Sequence, residues 1–332
     1  MKSNILYHYC SNEKAYNILK GKTIRLSDII KSNDSFEMNI LFPEFFDELL
    51  NIYNDFNGFD YEFCYNEKRD SIAWQHFVKD MEKEITKSIQ SGNISTYVAC
   101  FSEEGDLLSQ WRGYANDAQG VALGFDFTML EKYAQNSRLL RLEKVIYLSP
   151  EERKQLIYNS AKEILSIINT VLNAIMEGDV IIEDGLEFGN YIYENIRFNI
   201  LQQINETVCY KMDGFKEECE WRLYLDNPIN KETNKVELVR MLGNDEQWNQ
   251  VALEFINERL NFQVTSKNIV PYLEVSFSEI DKTNKLIKEI IAGPCNRISE
   301  VDMNLFLKKY NILECAFYPS QVNYVSPANK CQ

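Results

Sequence analysis

Short runs of β-branched and aromatic residues are scattered among long helical patterns in this chain, without a strict βαβ beat. Strand character recurs at residues 4–9 (NILYHY), 22–27 (KTIRLS), 95–102 (STYVACFS), 119–127 (QGVALGFDF) and 141–148 (RLEKVIYL). It returns at 215–226 (FKEECEWRLYLD), 269–277 (IVPYLEVSF) and 286–294 (LIKEIIAGP), the last ended by Gly293-Pro294. Residues 312–325 carry a final strand pair, or a strand and an extended tail. Such an order disfavours a doubly wound parallel sheet. It predicts an α+β fold of mixed, mainly antiparallel sheets with flanking helices.

Between the first two strands, Ser11 stands as an N-cap, and Ala15, Ile18 and Leu19 follow at helical spacing. Gly21 is expected to stop that helix. Residues 43–93 and 151–212 read as helical insertions, the second opened by Pro150 in its first turn. Helices are also expected at 245–259 and 298–310. At 332 residues and 45% hydrophobic content the chain can bury a large core. We expect a single elaborated domain, 1–332, with no fixed-period repeat.

Charge and punctuation exclude several functions. A formal charge of −15 argues against broad binding to a nucleic-acid backbone. The N-terminal stretch lacks an apolar signal core, and no run of 18 apolar residues occurs. A cytoplasmic protein without a membrane span is therefore expected. The eight cysteines form no CxxC and are expected to be free, buried thiols. The only histidines, His8 and His76, lie far apart, and no metal site is expected.

Four stretches could carry chemistry. Alternation in Tyr7-His8-Tyr9 places the tyrosines on one face and His8 on the other. His8 either donates to a ligand's ribose or phosphate, or is a structural histidine bonded to a carbonyl. In a strand, Glu218 and Glu220 would share a face about 7 Å apart, with Arg222 beside them. Two carboxylates at one cleft can divide roles, and an oxocarbenium-like sugar carbon needs one close by. The alternative is a solvated charged strand face. Ser102 ends a strand and could support a carboxylate or bind ligand, but no GxSxG surrounds it. Asn33 to Glu37 reads as a turn and capping box. Gly120 to Gly124 has the wrong spacing for a dinucleotide fingerprint.

LYHYCSNEKAYNILKGKTIRLSDIIKSNDSFE, VACFSEEGDLLSQWRGYANDAQGVALGF, FKEECEWRL and IKEIIAGP…YPSQVNYV occur in that order. Together they resemble the bacterial family called domain of unknown function 2971 (DUF2971). Its Trp-centred block often reads MW-x-x-Y and here is Gln110-Trp111-Arg112-Gly113-Tyr114. Members are mostly uncharacterised, some encoded near mobile elements and defence genes. A weaker similarity is to ADP-ribosyltransferases, in the order first-strand His, strand Ser and late ExE. That similarity implies a transferase-like core and NAD as substrate. His8 would hold the ribose or phosphate, Ser102 would support the glutamate, and Glu220 would bind the ribose hydroxyl and promote loss of nicotinamide. Glu218 would activate the acceptor, whether protein or nucleic acid. Tyr7, Tyr9, Trp111 or Tyr114 would stack on a ring of NAD, with Arg222 beside the carboxylates. The expected function is an NAD-consuming transferase or glycohydrolase, as a defence or toxin effector. The alternative is a non-catalytic nucleotide-sensing or partner-binding module of a defence system. Glu220→Gln is expected to abolish nicotinamide release and leave the fold intact.

Overall fold

The computed structural model describes residues 4–31, 40–42, 44–55, 64–65, 68–69, 71–91, 94–137, 139–178, 185–226, 229–230, 235–236, 246–264 and 268–324. The turn expected at Asn33 to Glu37 lies outside these residues. In chain order the principal elements begin with β1 (Ile5–Cys10), α1 (Asn12–Gly21), β2 (Thr23–Asp28), α2 (Glu44–Asp55), α3 (Ser71–Gln90) and β3 (Tyr97–Ser102). Then come α4 (Leu108–Tyr114), β4 (Val121–Asp126), α5 (Phe127–Asn136), β5 (Leu140–Lys144), β6 (Ile146–Leu148), α6 (Pro150–Met176) and α7 (Gly185–Glu206). The remainder is β7 (Tyr210–Met212), β8 (Glu220–Leu225), α8 (Glu246–Arg259), β9 (Leu260–Val264), β10 (Ile269–Ser276), β11 (Ile287–Ala292), α9 (Glu300–Lys309) and β12 (Ala316–Pro319).

Local chemistry explains the element ends. Ser11 Oγ accepts the Lys14 N–H and starts α1, whose buried stripe is Ala15, Ile18 and Leu19. Gly21 is the last helical residue, and the left-handed turn falls on Lys22 (φ 52°) instead. At the start of α6, Ser149 and Glu152 each accept the other's backbone N–H, and Pro150 takes the first helical position.

Ten strands form one sheet, and the fold is α+β with mainly antiparallel pairing. Its path runs β9-β10-β2-β3-β1-β4-β11-β12. The centre is a fork. One edge of β3 pairs with β8 along its length, and β8 pairs onward with β5. The other edge is shared: Tyr97 and Val98 pair with β2, whereas Ser102 pairs with β1. Among the described residues, only β11 with β12 and the separate ribbon β6 with β7 are parallel.

Alternation gives the central strands two unlike faces. One face carries Leu6, Ala99, Phe101, Leu123, Phe125 and Leu223, buried in the main core with α1, α5 and α9. On the other face, Val98 and Tyr224 join a second core made by α2, α3, α6 and α7. The helical stretches thus pack on each other as well as on the sheet. Farther along that face, Tyr7, Tyr9, Trp111, Ala115, Ala118 and Ala122 form a small third cluster. Gly120 is needed there, since a Cβ on it would lie 2.1 Å from the Cys10 carbonyl oxygen. Polar residues of β3 and β8 occupy the ground between the second and third clusters.

Candidate functional site

The site is organised by a register. Tyr7 of β1 lies opposite Ser102 of β3, and Ser102 lies opposite Glu220 of β8. Directly opposed residues share a face, so these three side chains emerge together on adjacent strands. Tyr7 and Glu220 are separated by two strand spacings, about 10 Å.

Glu218 reaches the same place by a different route from strand alternation. Residues Asp213–Glu218 form a 3₁₀ helix, and Cys219 is left-handed (φ 46°) before β8 begins at Glu220. The kink turns both carboxylates toward one cation. Lys211 Nζ lies 2.7 Å from Glu218 Oε2 and 2.9 Å from Glu220 Oε2. Arg222 Nε donates to Glu220 Oε1 at 2.9 Å, and its Nη2 donates to Glu220 Oε2 at 3.3 Å. Arg222 Nη1 donates to the Val208 carbonyl. Tyr114 donates to Glu218 Oε1 at 3.1 Å, and the Glu220 N–H donates to Tyr147 Oη at 2.8 Å. Ser102, Lys211, Glu218, Glu220 and Arg222 are all buried. The solvated charged face considered from the sequence is therefore not what forms.

Two carboxylates and two cations give this buried group no net formal charge. Burial alone would raise the Glu220 pKa. Arg222 and then Lys211 outweigh it and hold the carboxyl down at about 2. Lys211 shows the converse balance: burial would lower its pKa, but Glu220 carries it above the ordinary lysine value.

Ser102 supports a glutamate, though not through its carboxylate. Its hydroxyl donates to the Glu218 carbonyl at 2.7 Å and accepts the Glu104 N–H at 3.1 Å. Tyr9 donates to the Glu104 carbonyl at 2.7 Å and accepts the Leu107 N–H. Tyr7 donates to Glu289 at 2.7 Å. Gly105 closes over the Tyr7 ring, so that a Cβ there would come within 2.5 Å of it. Tyr114 is 41% exposed, and Cys100, opposite Arg222, is exposed too. These two residues mark the solvent side of the group.

Two expected ligand contacts are corrected. His8 turns away from the carboxylates, as alternation requires, and meets Phe101 edge-on. At the fork its Nδ1 donates to the Cys100 carbonyl at 2.9 Å, which is the structural role. Burial holds the His8 pKa below its ordinary value despite that hydrogen bond. Trp111 is fully buried, packs edge-on against Tyr9 and donates to Asp106 at 2.7 Å. It is core and presents no ring face to a ligand. The cysteine expectation also changes: Cys10 and Cys209 are buried free thiols, but Cys100 is exposed.

Lys211 and Tyr147 escaped the sequence reading. Both come from the β6–β7 ribbon, where they are register partners. The available signal was a lone lysine in the apolar run Val208 to Met212. The two cavities described lie elsewhere. One, of about 260 Å³, is lined by Leu19, Val121, Ile290, Met303 and Phe306 on the opposite face of the sheet. The other, of about 290 Å³, lies by Arg259 and Glu274. Among the described residues, no helix is long and apolar enough to cross a membrane.

Residues 110–223, about a third of the chain, match the family described as protein of unknown function (DUF2971). The matched stretch contains Trp111, Tyr114, Tyr147, Lys211, Glu218, Glu220 and Arg222. It excludes β1 and Ser102. No curated protein and no solved structure matches the chain.

Proposed function

We propose that this DUF2971-like chain is an NAD-consuming enzyme of the ADP-ribosyltransferase type, acting as a transferase or an NAD glycohydrolase. One observation carries the reading: Tyr7, Ser102 and Glu220 stand in register on adjacent strands, with Glu218 anchored to Ser102. In the reaction, the bond between ribose and nicotinamide breaks and its electron pair leaves with the nicotinamide nitrogen. The ribose carbon becomes cationic and takes the oxygen of water or of an acceptor, which releases a proton. Glu220 would face the developing charge in a dry setting, where a fixed carboxylate acts more strongly than in water. Glu218 would take the acceptor proton, and Tyr114 would border the entrance.

A second reading, a nucleotide-sensing or partner-binding module without catalysis, draws on the ion pairs. Every carboxylate oxygen of Glu218 and Glu220 already has a partner, so a ribose hydroxyl would have to share or displace one.

Nicotinamide release from NAD by the purified protein separates the two readings. Release by the wild type and its loss in Glu220→Gln is the expected result; a thermal shift with NAD and no release supports the sensing module. The variant needs a fold check, because it leaves Lys211 and Arg222 facing one carboxylate. Breaking such a buried pair costs about 3–5 kcal/mol. The charge-balanced Glu220→Gln with Lys211→Met is the control.

A further inference from the structure

Lys211 stands where a substrate's positive charge would have to go. Its ammonium lies between Glu218 and Glu220, 2.7 and 2.9 Å from their oxygens. The Phe215 ring covers it from 5.3 Å. The lysine belongs to neither motif strand. It is delivered by β7, the return from the α6–α7 helices, whose three residues pair with the three of β6. We propose that Lys211 is a specificity-determining internal competitor, which must be displaced before a ligand reaches the carboxylate pair. The inference rests on the NAD-consuming reading above.

The selectivity follows from charge. Withdrawing the ammonium leaves two buried carboxylates against Arg222 alone. A neutral ligand cannot restore that balance, whereas a cationic ring or sugar carbon can. The site therefore favours the oxidised dinucleotide, whose nicotinamide ring is a cation, over the reduced form, whose ring is neutral. Phe215, in the 3₁₀ turn beside Lys211, must move with it.

The test uses Lys211→Ala with ethylammonium chloride, a free replacement for the missing side-chain end. Ethylammonium should raise the melting temperature of the variant by a few degrees over equal sodium chloride, and leave the wild type unmoved. Titration calorimetry should show NAD⁺ binding the variant about tenfold tighter than the wild type, and NADH gaining less than about threefold. Ethylammonium should compete with NAD⁺ on the variant. No selective response to ethylammonium overturns the proposal whatever NAD⁺ does. Equal gains for NAD⁺ and NADH overturn the specificity role. An ethylammonium response with no dinucleotide binding to either protein retains Lys211 as the occupant and removes the NAD reading. If the variant folds poorly, refolding yield with and without ethylammonium gives the same readout.

Discussion

Leu223 and Arg222 are neighbours in β8, and both are fully buried, but on opposite faces of one sheet. Leu223 lies in an apolar core where any well-fitting hydrocarbon would serve. Arg222 lies in a group of four charges that is stable only because it balances. The apolar face tolerates errors of shape in proportion to the lost contact. The charged face fails abruptly, since removing one member strands another without water.

The largest effect expected is from Arg222→Met, a loss of about 3–5 kcal/mol in urea unfolding. Adding Glu220→Leu should recover much of that loss, because Lys211 and Glu218 then remain as a balanced pair. A Leu223→Ala loss of about 2–5 kcal/mol should gain nothing from the same background. Equal rescue on both faces would end the distinction. Acid comes next. Glu220 is ionised down to about pH 2 in the fold, against an ordinary value of 4.5. Its contribution is therefore complete above about pH 4.5 and is lost as pH falls toward 2, on the order of 3 kcal/mol. The raised Lys211 pKa keeps the lysine's share intact below its ordinary value of 10.5. Glu220→Gln should flatten the acid limb of a stability profile; an unchanged limb would move the titration elsewhere. Gly105→Ala should cost about 1–3 kcal/mol by pressing on the Tyr7 ring, while far-UV circular dichroism stays the same. Ser11→Ala, remote from the charged group, should cost about 1 kcal/mol in thermal unfolding through the lost cap. It sets the scale for an ordinary local defect.

Much of the fold was legible because its causes are local. Strand alternation, the Ser11 cap and the Pro150 start depend on residues a few positions apart. The β9 strand was missed, although Leu260, Phe262 and Val264 alternate, because it follows α8 without a break. Within the site, alternation correctly set Tyr7 and Tyr9 opposite His8. It misread Glu218, because a left-handed Cys219 interrupts the strand.

By itself the sequence determined the α+β class and the strands that bear the candidate residues. Only the tertiary structure decided which of those residues face one another. It put His8 on a backbone carbonyl, enclosed Trp111 in a core and brought Lys211 between two glutamates. The physical reason is range: propensity and alternation act over one turn or one pleat, whereas a buried charge is defined by whatever the rest of the chain places beside it.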